Sequence, residues 1–253
     1  MHMAIIYSES FETDGNGTRY TTSVPEFSDG FGDFFTRTDG STIGSFYEVT
    51  GADGDFYFAA QDLDGEGAIP PLTLDITGID ITGVTNLGLS FLAAEDDEGT
   101  NQDWDASDFV HISVQIDGGG YVDILNFESV PDGDEFNAVP GVDTDFDGDG
   151  DGTELTDVFQ TFTAAIAGSG STLDLRIEYQ LDAGDEDFAI DLIEINGLGG
   201  GTGPVPGVTA VPSGLSLSEA GETQTLSLSL DTEPASPVRI ILSGNAQVGF
   251  STD

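Results

Sequence analysis

Between Asp143 and Glu154 the chain reads D-T-D-F-D-G-D-G-D-G-T-E, so that acids fall at positions 1, 3, 5, 7, 9 and 12 of the stretch. Gly148 stands at position 6. This is the spacing of an EF-hand calcium loop, in which alternate side chains converge on the ion and a bidentate Glu closes the far side. The central glycine permits the sharp turn. Six carboxylates this close repel one another unless a hard divalent cation neutralises them. Oxygen-only donors on a flexible loop favour Ca2+ over Mg2+, and softer transition metals have no thiolate or imidazole to bind here. The expected ligands are Asp143, Asp145, Asp147, Asp149, Asp151 and Glu154. Glu154 should close the site, whereas position 7, Asp149, commonly offers its backbone carbonyl. The competing reading is an acidic, solvated turn, but spacing as well as composition fits the ion. The flanks A-V-P (138–140) and V-F-Q-T-F-T-A-A-I (158–166) are not helical, which puts the loop between strands.

Asp191 lies in F-A-I-D-L-I-E-I (188–195), where strict alternation puts it on one face with Ala189, Ile193 and Ile195. An unpaired carboxylate on an apolar face is costly. Either that face is the outer one or Asp191 holds a cation. In a jelly roll the first and last strands lie close together, so Glu9, Glu12 and Asp14 are candidate partners, and Glu12 with Asp191 is the expected second site. Weaker groups are Asp62-Leu-Asp64-Gly-Glu66, Glu95-Asp96-Asp97-Glu98, and Asp103-Trp104-Asp105 with Asp108. Each is more often a solvated loop in so acidic a chain. Trp104, the sole tryptophan, offers a ring on which a sugar can stack, making Asp103, Trp104 and Asp105 a candidate ligand patch. Its competing role is to anchor the loop in the core.

Little points to catalysis. His111 shares the polar face of its strand with Ser113 and Gln115, but no G-x-S-x-G elbow accompanies it. Nothing singles out a glycosidase pair among the 48 acids, and there is no P-loop. The absence of cysteine removes disulfides and thiolate sites, and two histidines cannot make a His-rich zinc centre.

The elements that must position these acids are strands. Phe109 to Ile116 places Val110, Ile112, Val114 and Ile116 on one face; Leu173, Leu175, Ile177, Tyr179 and Leu181 repeat the pattern. Further strand-like runs fall near 45–50, 55–60, 72–76, 86–93, 121–127, 158–166 and 187–196, divided by Gly-Asp, Asp-Gly and Gly-Gly turns. No helical stripe of 12 residues occurs. The expected fold is all-β: an antiparallel, jelly-roll-like β-sandwich over 1–198, with an open barrel as the competing topology. A Gly/Pro linker follows at 199–207, then part of a second β-sandwich at 208–253, which is too short for a robust sandwich of its own.

The chain's 253 residues carry 48 acids against four arginines and no lysine, a formal charge of −44. Such a charge excludes sequence-independent nucleic-acid binding and docking to anionic lipid. Two explanations survive: adaptation to high salt, or acids that hold cations. No apolar run approaches the ~18 residues of a membrane span, so direct membrane insertion is not expected. The N-terminus, Met-His-Met-Ala-Ile-Ile-Tyr, lacks the basic and apolar regions of a secretory signal.

Several pieces appear in an order that resembles a calcium-binding, galactose-binding-like jelly-roll module of large secreted bacterial proteins. They are F-Y-F-A-A-Q-D-L-D-G-E-G (56–67), N-Q-D-W-D-A-S-D-F-V (101–110), Q-I-D-G-G-G (115–120), D-T-D-F-D-G-D-G-D-G-T-E-L-T (143–156), G-S-T-L-D-L-R-I (170–177) and D-E-D-F-A-I-D (185–191). Residues 215–230, L-S-L-S-E-A-G-E-T-Q-T-L-S-L-S-L, resemble the start of a Calx-β domain. The family usually has Asn after the acid of the final strand, where this chain has Leu192. The resemblance implies a non-catalytic, calcium-stabilised module of a surface protein or adhesin, located outside the cell, with a cell-surface glycan or polysaccharide as partner and neighbouring domains in a larger chain. The alternative is an accessory domain of a secreted hydrolase or nuclease.

If the loop holds calcium, the ion stabilises the folded state by mass action, contributing roughly 2.7 kcal/mol at free calcium 100 times the dissociation constant. The melting temperature should fall on adding EGTA, and excess magnesium should not restore it. A melting curve unmoved by EGTA would mean the loop is only an acidic turn.

Overall fold

The computed structural model describes residues 3–96, 104–131, 138–199, 208–211 and 227–230. Asp97, Glu98 and Asp103 lie outside these residues, as do nearly all of the expected linker and most of the Calx-β-like segment. The chain divides into two compact units, Met1–Thr202 and Gly203–Asp253.

The first unit is built from β1 (Ala4–Glu9), β2 (Thr21–Thr22), β3 (Phe27–Ser28), β4 (Phe34–Thr38), β5 (Tyr57–Gln61), β6 (Leu72–Asp80) and β7 (Thr85–Ala94), and continues through β8 (Phe109–Ile116), β9 (Val122–Ser129), β10 (Pro140–Asp143), β11 (Gln160–Ala165), β12 (Thr172–Gln180) and β13 (Asp187–Leu198). One sheet runs β11-β7-β13-β5-β4-β3, with β1 also paired to β13; the other runs β10-β9-β8-β12-β6-β2. All their ladders are antiparallel. From β5 to β8 and from β10 to β13 successive strands cross between the sheets, so that β5-β13-β7-β11 faces β6-β12-β8-β9, the strand order of a jelly-roll sandwich. In the second unit β14 (Val208–Val211) pairs antiparallel with β15 (Ser227–Leu230).

The expected alternation in β12 is met side chain by side chain. Leu173, Leu175, Ile177 and Tyr179 are buried, while Asp174, Arg176, Glu178 and Gln180 remain half-exposed. In β8, Val110, Ile112 and Val114 enter the same core. At one end of that core Phe58 meets Phe35 at 4.9 Å, Phe11 at 5.9 Å, Tyr20 at 6.0 Å and Tyr179 at 6.5 Å between ring centroids.

Two expectations fail for physical reasons. The run at 45–50 forms no strand; Ile43 and Tyr47 instead cover the outer face of the first sheet, in a small second core with Phe34, Tyr57, Ala59, Ala94, Phe159 and Ala189. In β13, strict alternation is broken by a bulge, with Leu192 at a φ of 44°. Phe188 and Ile190 before the bulge, and Ile193 and Ile195 after it, therefore all reach the main core. Asp191 does not share their face; it sits on the Ala189 side.

Phe58→Ala should cost about 3–5 kcal/mol, the usual loss for truncating a fully buried Phe. Urea unfolding would read this as a lower midpoint with an unchanged slope.

Candidate metal centres

The fold gathers only the first half of the 143–154 loop into one place. Single carboxylate oxygens of Asp143, Asp145 and Asp147 lie within 4.8 Å of one another. Asp143 is buried at the end of β10 and organises the turn. Its Oδ1 accepts the N–H groups of Asp145 (3.2 Å), Phe146 (2.6 Å) and Asp147 (3.4 Å), and its Oδ2 accepts that of Gly148 (2.9 Å). Gly148, at a φ of 95°, makes the reversal that the spacing predicted. The charge of Asp147, ahead of all other causes, raises the exposed Asp145 carboxyl above its usual range.

The second half of the loop departs from an EF-hand. The N–H groups of Asp151 and Gly152 both donate to the Val142 carbonyl, and Glu154 bridges to Gly141. This hairpin onto β10 depends on glycine: a Cβ on Gly150 would meet the Glu128 carbonyl oxygen at 2.5 Å, and one on Gly152 the Val142 oxygen at 2.8 Å. Asp151 is held by Thr144, whose N–H and hydroxyl donate to Oδ1 at 2.9 and 2.7 Å, and these bonds lower its carboxyl below the usual range. Asp149, Asp151 and Glu154 therefore do not join the gathered group, and closure by Glu154 is not the geometry this backbone presents.

Asp191 and Glu12 meet one loop rather than one another. Asp191, fully buried, accepts the N–H groups of Asp53 (2.6 Å) and Leu192 (2.7 Å). Glu12 Oε1 accepts those of Asp55 and Phe56, both at 2.8 Å. Burial raises the Asp191 carboxyl to about 7, with the backbone donors pulling down and the charges of Asp53 and Glu12 pushing up. Asp191 thus stands on the outer face of the first sheet with Ala189, covered by the 53–56 loop whose backbone N–H meets its oxygen. Glu9 is committed to Arg19 at 2.6 Å, and Asp14 accepts the Asn16 N–H.

A second gathered group joins Asp105 and Asp108, before β8, to Glu186, before β13. Asp105 and Asp108 were weak candidates in the sequence; Glu186 had no spacing signal, because only the fold brings the two segments together. Trp104 corrects the sugar-stacking expectation. It is fully buried and donates its indole N–H to the Asp187 carbonyl at 3.1 Å, so it offers no ring to a ligand. Anchoring the loop is what it does. Asp103 lies outside the described residues. On the other side of β13, burial and then the charge of Glu95 raise the Asp187 carboxyl well above its usual range. Asp62, with Asp33 and Asp64 near it, is raised to about 6, chiefly by burial. His111 is half-buried, stacked on Phe109 and bonded through Nε2 to Glu128 at 2.6 Å.

No family model matches the chain, and no curated protein is similar to it. Solved structures do resemble it. The CBM22-1 xylan-binding domain from Paenibacillus barcinonensis is 12% identical at a TM-score of 0.39, over 78% of this chain and 96% of that one. The K3 cleaved adhesin domain of Lys-gingipain from Porphyromonas gingivalis w83 is 14% identical at 0.43, over 76% and 99%. A Stig cyclase from Fischerella sp. TAU is 10% identical at 0.45, over 77% and 98%. At such identities and scores these likenesses say nothing of what this chain binds or does. Among the described residues no helix is long and apolar enough to cross a membrane.

The raised carboxyls set a pH dependence in the absence of cations. Asp62 and Asp191 keep protons up to about 6 and about 7 in the folded chain, whereas unfolded Asp releases them near ~3.9. Over that window the folded state binds more protons, so stability falls as pH rises. In EGTA the melting temperature should drop between pH 5 and pH 7, in about 1 M salt where long-range repulsion is screened to ~3 Å. A flat profile there would contradict the burial of these groups.

Proposed function

We propose that the first unit is a calcium-stabilised, non-catalytic jelly-roll module of a bacterial surface protein or adhesin, working outside the cytoplasm with a glycan as its partner. The observation that carries this reading is the Asp143 turn. A buried carboxylate is held by four backbone N–H groups, and two exposed carboxylates stand beside it with single oxygens within 4.8 Å. A cation bound to Asp143, Asp145 and Asp147 relieves their repulsion and supplies the positive charge that no lysine can. Sites with exposed ligands of this kind belong to the weak, extracellular class, which cytosolic calcium is too scarce to fill.

The glycan is supported by a shallow groove beside the loop. Thr144, Thr153, Gln160, Thr161 and Thr163 line it together with the apolar Leu125, Val142 and Phe162. Hydroxyl and amide groups mixed with apolar side chains suit a sugar ring's alternation of hydroxyls and C–H faces. Asp191 and Glu12 serve the 53–56 loop in this reading, and the ion belongs to the Asp143 turn.

Titration calorimetry with calcium should show binding to the full chain that Asp143→Asn weakens by about tenfold or more, ~1.4 kcal/mol. Glu154→Gln should change it by no more than about twofold, because Glu154 is not gathered into the group. On a glycan array with calcium, Gln160→Ala combined with Thr161→Ala should lose whatever the parent chain retains. No calcium heat from the parent chain would remove the ion, and array silence would remove the glycan.

A further inference from the structure

Asp108 is fully buried, and its two oxygens are treated differently. Oδ2 accepts the Asp105 N–H at 2.5 Å, while Oδ1 meets no donor among the described residues; the carboxyl lies against that of Glu186, to which it can bond only by sharing a proton. Beside it Glu186 is 3% exposed and spends Oε2 on the N–H groups of Asp182 and Ala183, both at 2.6 Å. Asp105 is half-exposed and accepts the Ser107 N–H and hydroxyl through Oδ1, each at 2.6 Å. One oxygen from each of the three acids lies within 4.8 Å of the others, and among the described residues no basic side chain pairs with any of them.

An orphaned carboxylate oxygen at zero exposure is expensive. A proton shared between Asp108 and Glu186 would quiet that pair but leave Asp105 pointing a charge at it. A divalent cation satisfies all three together, accepting oxygens from each. The donors are all hard oxygens, and two of the three carboxylates are sealed from water. That favours Ca2+, which tolerates irregular oxygen shells, over Mg2+, which keeps several of its waters. The half-exposed Asp105 provides the way in.

We propose that Asp105, Asp108 and Glu186 form a buried calcium site that clasps the 105–108 loop to the turn preceding β13. It stands apart from the Asp143 turn and does not depend on it. Its role is mechanical: the ion fastens the start of β13, which pairs with β5 and β7 in the middle of the first sheet.

Trp104, the only tryptophan, immediately precedes Asp105 and so can sensitise a lanthanide held there. The full chain should be titrated with terbium alone, with emission excited through the indole, then back-titrated with calcium. Sensitised emission that calcium displaces is expected from the wild type and from Asp143→Asn. Asp108→Asn and Glu186→Gln should shift half-saturation by about tenfold or more, ~1.4 kcal/mol. In EGTA both variants should melt no lower than wild type, since each removes a charge from a crowded site, and in calcium they should gain less. Should either fail to fold, Asp105→Asn reads the same emission at a half-exposed position. Absence of sensitised emission, or emission and calcium-induced melting shifts that none of these variants alters, would overturn the site and leave a proton-sharing pair.

Discussion

Burying carboxylates in a chain with four arginines and no lysine is the constraint on which the loops of this module depend. Nine acids are buried among the described residues: Glu9, Glu95, Asp96, Asp108, Glu128, Asp143, Glu186, Asp187 and Asp191. Glu9 has Arg19 and Glu128 has His111. Asp108, Asp143, Glu186, Asp187 and Asp191 have no basic partner. Their oxygens are met by backbone N–H groups instead: four on Asp143, two on Asp191, two on Glu186, one on Asp108 and one on Asp187. The exchange is mutual. Connections that leave the sheets carry N–H groups with no ladder to join, and a carboxylate is a strong acceptor for them.

This division of labour separates the core from the site. The main core is apolar, its buried aromatic and aliphatic side chains drawn from both sheets. Acids collect where strands end or bulge. The bulge at Leu192 is the clearest case, because one extra residue lets Ile190 and Ile193 enter the same core and turns Asp191 toward the Asp53 N–H. The three described arginines are likewise spent on fastening. Arg19 holds Glu9, Arg176 holds Asp75, and Arg37 lies over the Phe56 ring at 3.6 Å while donating to the carbonyls of Phe11 and Glu12.

Local periodicity made much of the sandwich legible. The alternation of β8 and β12 carries its own evidence of which face is buried, since period-two patterning needs no knowledge of distant residues. The same rule put Asp191 with Ala189, as found, but wrongly with Ile193 and Ile195, because a bulge changes phase without leaving a mark that composition shows; Leu is not a residue that advertises a positive φ. The 143–154 spacing identified a real acidic turn and its central glycine. It overreached at Asp151 and Glu154, where Gly150 and Gly152 let the backbone pack against β9 and β10 as a hairpin. Trp104 flanked by acids allowed a stacking ring but read more readily as an anchor for its loop, and the bond to the Asp187 carbonyl agrees with the anchor. Glu186 was invisible, since only the β8–β12 ladder, which sets Phe109 opposite Gln180, brings the turn after β12 to the loop before β8.

A carboxylate held by backbone donors alone is only half compensated. N–H groups orient dipoles toward it but add no net positive charge, so the repulsion between neighbouring acids persists. Within the gathered groups the remaining compensation must come from something exchangeable, a proton or a cation. Protons suit a buried pair at low pH and leave as the pH rises; cations are retained where they are abundant. On the calcium reading, the loops of this module would be stiff in saline, calcium-rich surroundings and loosened where calcium is scarce. The apolar core would remain as it is under either condition. A chain that answers its buried charge with lysine and arginine carries its compensation wherever it goes. On the calcium reading this chain, lacking lysine, would instead tie the order of its loops to the solution around it.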